Sequence, residues 1–327
     1  MWLRWIAGLS VVFALALVAP TSGASKPPNR PIYFIHGWNL NADTDCASTW
    51  GAMTKNFNAW GLKGTRDLAN LKAGQIPFHT VAYYHGDKNC NTRIDADGDH
   101  SKSLPLPAAP LPGPQPHREG SSTPNTPIEH LAYHLAWNIY DTYSSRNVPI
   151  DVVAHSMGGL IIRYALAATE RHVADFPPYL LVEDVVTLGT PHGGSRGHRF
   201  APSLQGSEMD PGSSFIKSLV KFGFNPQGRG GTDWTTAGSD DDTAVAADRA
   251  VGTDRDRDPR DKYIGSQHKV WYTAVNHLEH SDYYKVATKN ATAIAWVATK
   301  GKPFGSHPLA IVYPMRMAYF ALQSPGN

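Results

Sequence analysis

One stretch constrains the fold more than any other: Ile150-Asp151-Val152-Val153-Ala154-His155-Ser156-Met157-Gly158-Gly159-Leu160-Ile161-Ile162-Arg163. Its first half is a short β-rich apolar run and its second half is helix-prone, so Ser156 falls on an abrupt bend between a buried strand and a helix. A bend of this kind is a nucleophile elbow. It lifts the serine hydroxyl clear of the sheet and aims the first amides of the following helix at charge that develops beside it. Strand and helix backbones converge there, which demands small neighbours, and Ala154, Gly158 and Gly159 supply them. Ala154 stands where the G-x-S-x-G pattern has its first glycine, so the pentapeptide alone also fits a serine that caps an ordinary buried helix.

A chain of 327 residues is long enough to build one large α/β domain around this element. The expectation is a single domain over residues 25–327. Residues 1–24 read as a secretory signal peptide cleaved near Ala24: Arg4 supplies a positive start, an apolar run extends from Ile6 to Val18, and Ser22-Gly23-Ala24 offers a small-residue cleavage site. The apolar run is short for a membrane anchor, and no other stretch is long enough to span a bilayer. The formal charge is only +2 and no basic face recurs, which argues against a nucleic-acid partner. Two cysteines are present, Cys46 and Cys90. In an exported protein they read as one disulfide, tying the segment after the first strand to the loop after the second.

Ile32 to Ile35 reads as a parallel strand buried on both faces, followed by His36-Gly37-Trp38-Asn39. His36 beside that glycine is expected to be a structural hydrogen-bonding residue. A helix is expected from Trp50 to Trp60 and a strand from Phe78 to Tyr84. Eight prolines between Lys102 and Ile128 exclude regular structure over most of that region. Within it, the alternating carboxylates of Asp95-Ala96-Asp97-Gly98-Asp99 read as a solvated acidic turn rather than a calcium loop, because Leu106 stands where an EF-hand needs its glutamate. Thr126-Pro127-Ile128-Glu129 has the form of a capping box opening a helix.

Further strands are expected at Val182–Leu188, at Asp233–Gly238 and at Lys269–Val275, with helices at Met157–Glu170, at Pro211–Phe222 and from Asp282 to about Thr299. Alternation of this kind implies a mostly parallel sheet with helices on both faces, binding its substrate beyond the carboxyl ends of the strands. Residues 195–231 form a candidate cover. In it Phe215, Leu219 and Phe222 share a helix face that suits either a fatty substrate or packing on the core. The apolar tail from Leu309 to Leu322 fits docking on the domain or a contact surface. Asn290-Ala291-Thr292 matches a glycosylation sequon inside an expected helix.

A serine hydroxyl is barely ionised at neutral pH and needs an adjacent histidine to take its proton, and a carboxylate to orient that histidine. Three adjacent acids, Asp240, Asp241 and Asp242, follow one strand, and His277 and His280 follow the next. Three adjacent carboxylates repel one another, so a fold that keeps them near a cleft needs a cation for at least one, and an imidazolium is one such partner.

Ala154-His155-Ser156-Met157-Gly158-Gly159, with Ile35-His36-Gly37 upstream and Leu188-Gly189-Thr190-Pro191-His192-Gly193-Gly194-Ser195 downstream, resembles the secreted bacterial lipases and esterases of the α/β-hydrolase superfamily. The resemblance spans about residues 30–300. It implies an α/β-hydrolase fold and a triad in the order serine, acid, histidine. By the family's Asp-x-x-Val pattern the acid is Asp242, and by its histidine directly after the last strand the base is His277 rather than His280. It also implies an oxyanion hole from the backbone N–H groups of Trp38 and Met157, a motif role outside the triad for His192, and no metal or other cofactor. The implied activity is hydrolysis of carboxylic esters of lipid or acyl type, with contact to a lipid surface as an option. An acyltransferase, an amide hydrolase, or a silent binding protein on the same scaffold are the alternatives.

Overall fold

The computed structural model describes residues 30–94, 122–196, 203–286, 294–307 and 313–323. The signal segment, the Asp95–Asp99 run and the Asn290 sequon lie outside the described residues, as does the start of the apolar tail.

Ten strands form one sheet: β1 (Ile32–Ile35), β2 (Gly64–Thr65), β3 (Ile76–Ala82), β4 (Thr92–Arg93), β5 (Ile150–His155), β6 (Val182–Leu188), β7 (Asp233–Ser239), β8 (His268–Tyr272), β9 (Ala295–Thr299) and β10 (Gly305–His307). The order across it is β10-β9-β8-β7-β6-β5-β1-β3-β2, with β4 pairing β3. Pairing is parallel from β2 to β8, and β9 and β10 add antiparallel at one edge. Helices α1 (Cys46–Ala59), α2 (Ile128–Thr142), α3 (Met157–Glu170), α4 (Leu204–Glu208), α5 (Ser214–Phe222), α6 (Ala247–Val251) and α7 (Pro314–Ala321) accompany it. With two faces covered and the strands mostly parallel, this is the α/β-hydrolase fold.

The apolar runs alternate between two cores. Tyr33, Ile35, Val152, Ala154 and Val185 pack with the buried faces of α2, α3 and α5. Ile32, Phe34, Val153, Val186 and Leu188 pack with α1 and α7. Strands buried on both sides favour apolar residues on both faces: β1 is apolar throughout, and the two polar residues of β5 are partnered, Asp151 with Arg30 and His155 with the His280 carbonyl. Phe34 anchors the second core, its ring 5.5 Å from Trp50 and 5.4 Å from Phe78. The described end of the tail docks there as α7, with Arg316 stacked 4.6 Å over the Trp60 ring.

Several expectations need correction. The described residues at both ends of the expected Asp282–Thr299 helix are not helical as expected: Asp282–Tyr284 is a single 3-10 turn and Ala295–Thr299 is β9. Pairing with β9 covers what would otherwise be a bare edge of β8, and Trp296, Val297 and Thr299 are residue types that suit a strand. The capping box at Thr126 is not formed either. Helix α2 begins after Pro127, and its first amide, Ile128 N–H, donates to a carboxyl oxygen of Glu208 at 2.9 Å. The helix is capped from 80 residues away, at the end of α4. Asp45 does cap α1 by accepting from the Ala47 and Ser48 amides, so that helix starts at Cys46 rather than Trp50.

Cys46 and Cys90 form the expected disulfide, with Cα atoms 5.0 Å apart. Helix α5 packs on α3: Phe215, Ile216 and Leu219 are buried, and Phe215 stacks on Tyr164 at 5.8 Å. The fully buried Arg163 guanidinium clamps the contact by donating to the carbonyls of Leu219 and Gly223. Burial alone pushes that guanidinium down to about 9, and carbonyl dipoles at the end of α5 compensate its charge. Among the described residues, no helix is long and apolar enough to cross a membrane.

Candidate active site

The site lies at the carboxyl ends of β1, β5, β7 and β8. Ser156 follows β5 with φ 53° and ψ −130°, a conformation that costs a non-glycine residue about 1–3 kcal/mol and persists only where the surroundings enforce it. The enforcement is visible in the contacts. A Cβ on Gly158 would collide with the carbonyl oxygens of Ile35 and His36, and one on Gly37 would lie 2.7 Å from Ser156 Cβ. Strand β1, the loop after it and the start of α3 are therefore in backbone contact around the serine. The Ser156 amide donates to the Leu188 carbonyl at 2.9 Å, and the Thr190 hydroxyl donates to the Ser156 carbonyl at 2.8 Å, so the Gly189-Thr190 turn fixes the bend from below.

The imidazole that meets this serine is His280. Its Nε2 lies 2.9 Å from Ser156 Oγ and its Nδ1 lies 2.8 Å from Asp242 Oδ2. The other oxygen of Asp242 accepts from the amides of Ala244 and Val245 at 2.9 and 2.8 Å, which fixes the carboxylate and explains the Asp-x-x-Val spacing. Asp240 is engaged elsewhere, by the Trp271 indole N–H at 2.6 Å and by Arg257 at 3.0 Å.

His277 is the expectation that fails. Strand β8 ends at Tyr272, and a 3-10 turn over Ala274–Asn276 leaves His277 in the left-handed region at φ 49°. Its side chain is 87% exposed, with Nδ1 3.8 Å from Asp241 Oδ2. Leu278 then buries itself, the chain turns inward, and His280 arrives with its side chain only 24% exposed. The turn that follows is held by Asp282, which accepts from the Glu279 amide at 3.0 Å.

Opposite the histidine stands the loop after β1. The loop reaches Ser156 through Gly37, Met157 follows the serine directly, and among the described residues the backbone amides of Trp38 and Met157 have no acceptor. The loop is braced by Asp87, which accepts from His36 Nε2 at 2.9 Å and from the amides of Tyr83, Tyr84 and Thr44 at 2.8–2.9 Å. Burial raises the Asp87 carboxyl, but these bonds outweigh it and hold the group below the usual carboxylate range. His36 is therefore a structural residue, stacked on Tyr83 at 4.0 Å. The disulfide closes the same region, since Cys46 follows the Asp45–Lys88 bridge and Cys90 lies three residues beyond Asp87. On the outer side, the Tyr84 hydroxyl accepts weakly from the Asn39 amide at 3.4 Å and donates to buried Gln205 at 2.6 Å, linking the loop to α4.

His192 is buried behind the site, held by the Thr187 hydroxyl at 3.0 Å, and burial with Arg163 nearby keeps it well below the ordinary histidine range. Among the described residues, no three His, Cys, Asp or Glu side chains converge as metal ligands.

A parallel sheet with a serine at a strand-to-helix elbow, an acid after a later strand and a histidine after the next defines an α/β-hydrolase. Comparison with known proteins finds a match over part of the chain. Residues 119–223, about a third of the chain, match the family model described as "Putative serine esterase (DUF676)", and this span contains β5, Ser156 and α3. The chain has the α/β-hydrolase fold, and the segment that carries Ser156 is similar to the serine-esterase model over those residues. Among solved structures, it is similar to the mature lipase BlEst2 of Bacillus licheniformis, at 18% identity over 65% of this chain and 67% of that one, with a TM-score of 0.35. It is also similar to a gene product of Listeria innocua, at 12% identity over 79% and 89% and a TM-score of 0.45, and to lipase B of Aspergillus fumigatus, at 14% over 72% and 46% and 0.36. No curated protein matches the chain.

Proposed function

We propose that the chain is an exported serine hydrolase that cleaves carboxylic esters of lipid or acyl type through an acyl-enzyme on Ser156. The observation that carries this reading is the single imidazole of His280, bridging Ser156 Oγ and Asp242 Oδ2 at 2.9 and 2.8 Å.

In the first step His280 Nε2 takes the Ser156 proton as Oγ bonds to the ester carbonyl carbon, and the carbonyl oxygen becomes an oxyanion. The amides of Trp38 and Met157 stabilise that charge, and one such donor is worth about 2.7–4 kcal/mol in the transition state. Asp242 holds the proton on Nδ1 and stabilises the imidazolium. The C–O bond to the alcohol then breaks, and the Nε2 proton passes to the departing oxygen. In the second step water gives a proton to Nε2 while its oxygen attacks the acyl carbon, and collapse returns the proton to Ser156 and releases the acid. Atoms and protons balance with no cofactor, and the partner is the ester alone, with no nucleic acid.

Export is supported by the signal-like residues 1–24 and by the Cys46–Cys90 disulfide, which persists in oxidising compartments. A short-chain chromogenic ester tests the activity. Wild-type protein should release an initial burst of chromophore and Ser156→Ala none, whereas turnover by Ser156→Ala at the wild-type rate refutes the reading.

A further inference from the structure

His155 immediately precedes the serine, and no step above uses it. Its ring is buried, and its Nε2 lies 2.8 Å from the main-chain carbonyl oxygen of His280. A carbonyl only accepts, so this nitrogen carries the ring proton. The two imidazole rings are 4.6 Å apart, and Tyr284 packs edge-on against His155 at 4.8 Å.

The loop that delivers His280 is anchored mainly by side chains, with Leu278 and Tyr283 buried in the second core and Asn276 donating to the Ile294 carbonyl at 2.8 Å. Its backbone bonds run from Thr273 to Ile294 at the start and are local beyond that: Asn276 to Thr273, His277 to Ala274 and Asp282 to Glu279. None is made by the main chain of His280 itself. Among the described residues, the bond from His155 is the one hydrogen bond that ties the backbone of that histidine to the rest of the fold.

We propose that His155 is a positioning residue: its Nε2–H bond to the His280 carbonyl fastens the histidine loop to β5 one residue before Ser156, so the strand that fixes the nucleophile also fixes the base. The inference rests on the reading of Ser156 and His280 as nucleophile and base. A rigid tether matters because misplacing reacting groups by about 1 Å can cost about 100-fold in rate. The ring can serve only while uncharged, since a second cation beside the imidazolium of His280 would oppose the reaction. Burial and the neighbouring His280 hold it well below the ordinary histidine range.

The test compares His155→Gln with His155→Met, side chains of similar reach with and without an N–H donor. His155→Met should lower kcat on a soluble chromogenic ester by about 10–100-fold with KM little changed, and slow fluorophosphonate labelling of Ser156 by the same factor. His155→Gln should recover most of the loss. Met and Gln variants with equal rates, or a Met variant at the wild-type rate, overturn the inference. Should the Met variant not fold, nitrogen NMR of the wild-type ring decides: a neutral imidazole protonated on Nε2 from about pH 5 to 8 supports the tether, and protonation on Nδ1 alone or on both nitrogens overturns it. Wild-type protein that neither turns over ester nor takes the label fails the hydrolase reading itself, which separates the two failures.

Discussion

Asp242 Oδ2 and His280 Nδ1 meet at 2.8 Å across 38 positions of sequence, while the second oxygen of the same carboxylate is held by two backbone amides. A carboxylate fixed in this way orients the imidazole and does not merely attract it. Asp242→Asn should leave the fold intact and lower kcat by about 10⁴-fold, because the amide favours the wrong tautomer of His280. Asp241→Asn should stay close to wild type. Steady-state kinetics on a soluble ester distinguishes the two, and equal losses would contradict the assignment.

The two histidines separate in the same way. His280→Gln should lose several orders of magnitude in kcat, whereas His277→Ala removes an exposed ring that touches no reacting atom and should leave kcat and KM unchanged. A collapse of activity in His277→Ala would mean that the loop rearranges when substrate binds.

Gly158 faces the carbonyls of Ile35 and His36 with no room for a side chain. Gly158→Ala should therefore cost about 1–3 kcal/mol of stability and also activity, since the helix that carries Met157 must move away from β1. Chemical denaturation and ester kinetics on the same preparation check both effects.

The disulfide closes a loop with a sequence separation of 44. By loop-closure entropy it should contribute about 4 kcal/mol at most. Cys46→Ser with Cys90→Ser should lower the denaturation midpoint and weaken the brace on the loop of Trp38, so KM and kcat should both shift before global unfolding. A double variant with wild-type stability would show that Asp87 and its hydrogen bonds suffice.

Glu208 gives a pH dependence of definite sign. Burial raises its carboxyl to about 8, offset in part by the Ile128 amide, against about 4.3 for a free glutamate. Between those values the folded chain holds a proton that the unfolded chain has released, so the contribution of this group is present at low pH and is lost as pH rises through about 8. The thermal midpoint should fall between about pH 5 and 8 more steeply in wild type than in Glu208→Gln, which keeps an oxygen for Ile128 and does not titrate. Parallel curves would contradict the account.

Local chemistry was readable in the sequence and tertiary chemistry was not. The elbow could be recognised because strand, serine and helix are contiguous, and the demand for small residues falls on Gly158 and Gly159 within three positions of Ser156. Asp242 was readable because the amides that hold it belong to the next three residues. His280 was missed because a 3-10 turn consumes the residues after β8 and sends His277 outward, a feature that the hydrophobic pattern does not record. The cap of α2 leaves no local signal because its carboxyl oxygen comes from Glu208, and β9 leaves none because it forms by pairing with β8 and β10.

The central claim is that His280 activates Ser156, and the most direct measurement is the rate at which a fluorophosphonate attaches to the intact protein, with the modified residue located by mass spectrometry. Wild type should be labelled on Ser156 and on no other serine, His277→Ala should be labelled as fast, and His280→Gln more slowly by about a thousandfold or more. Labelling of His280→Gln at the wild-type rate, or a wild type that stays unlabelled at Ser156, would contradict the account.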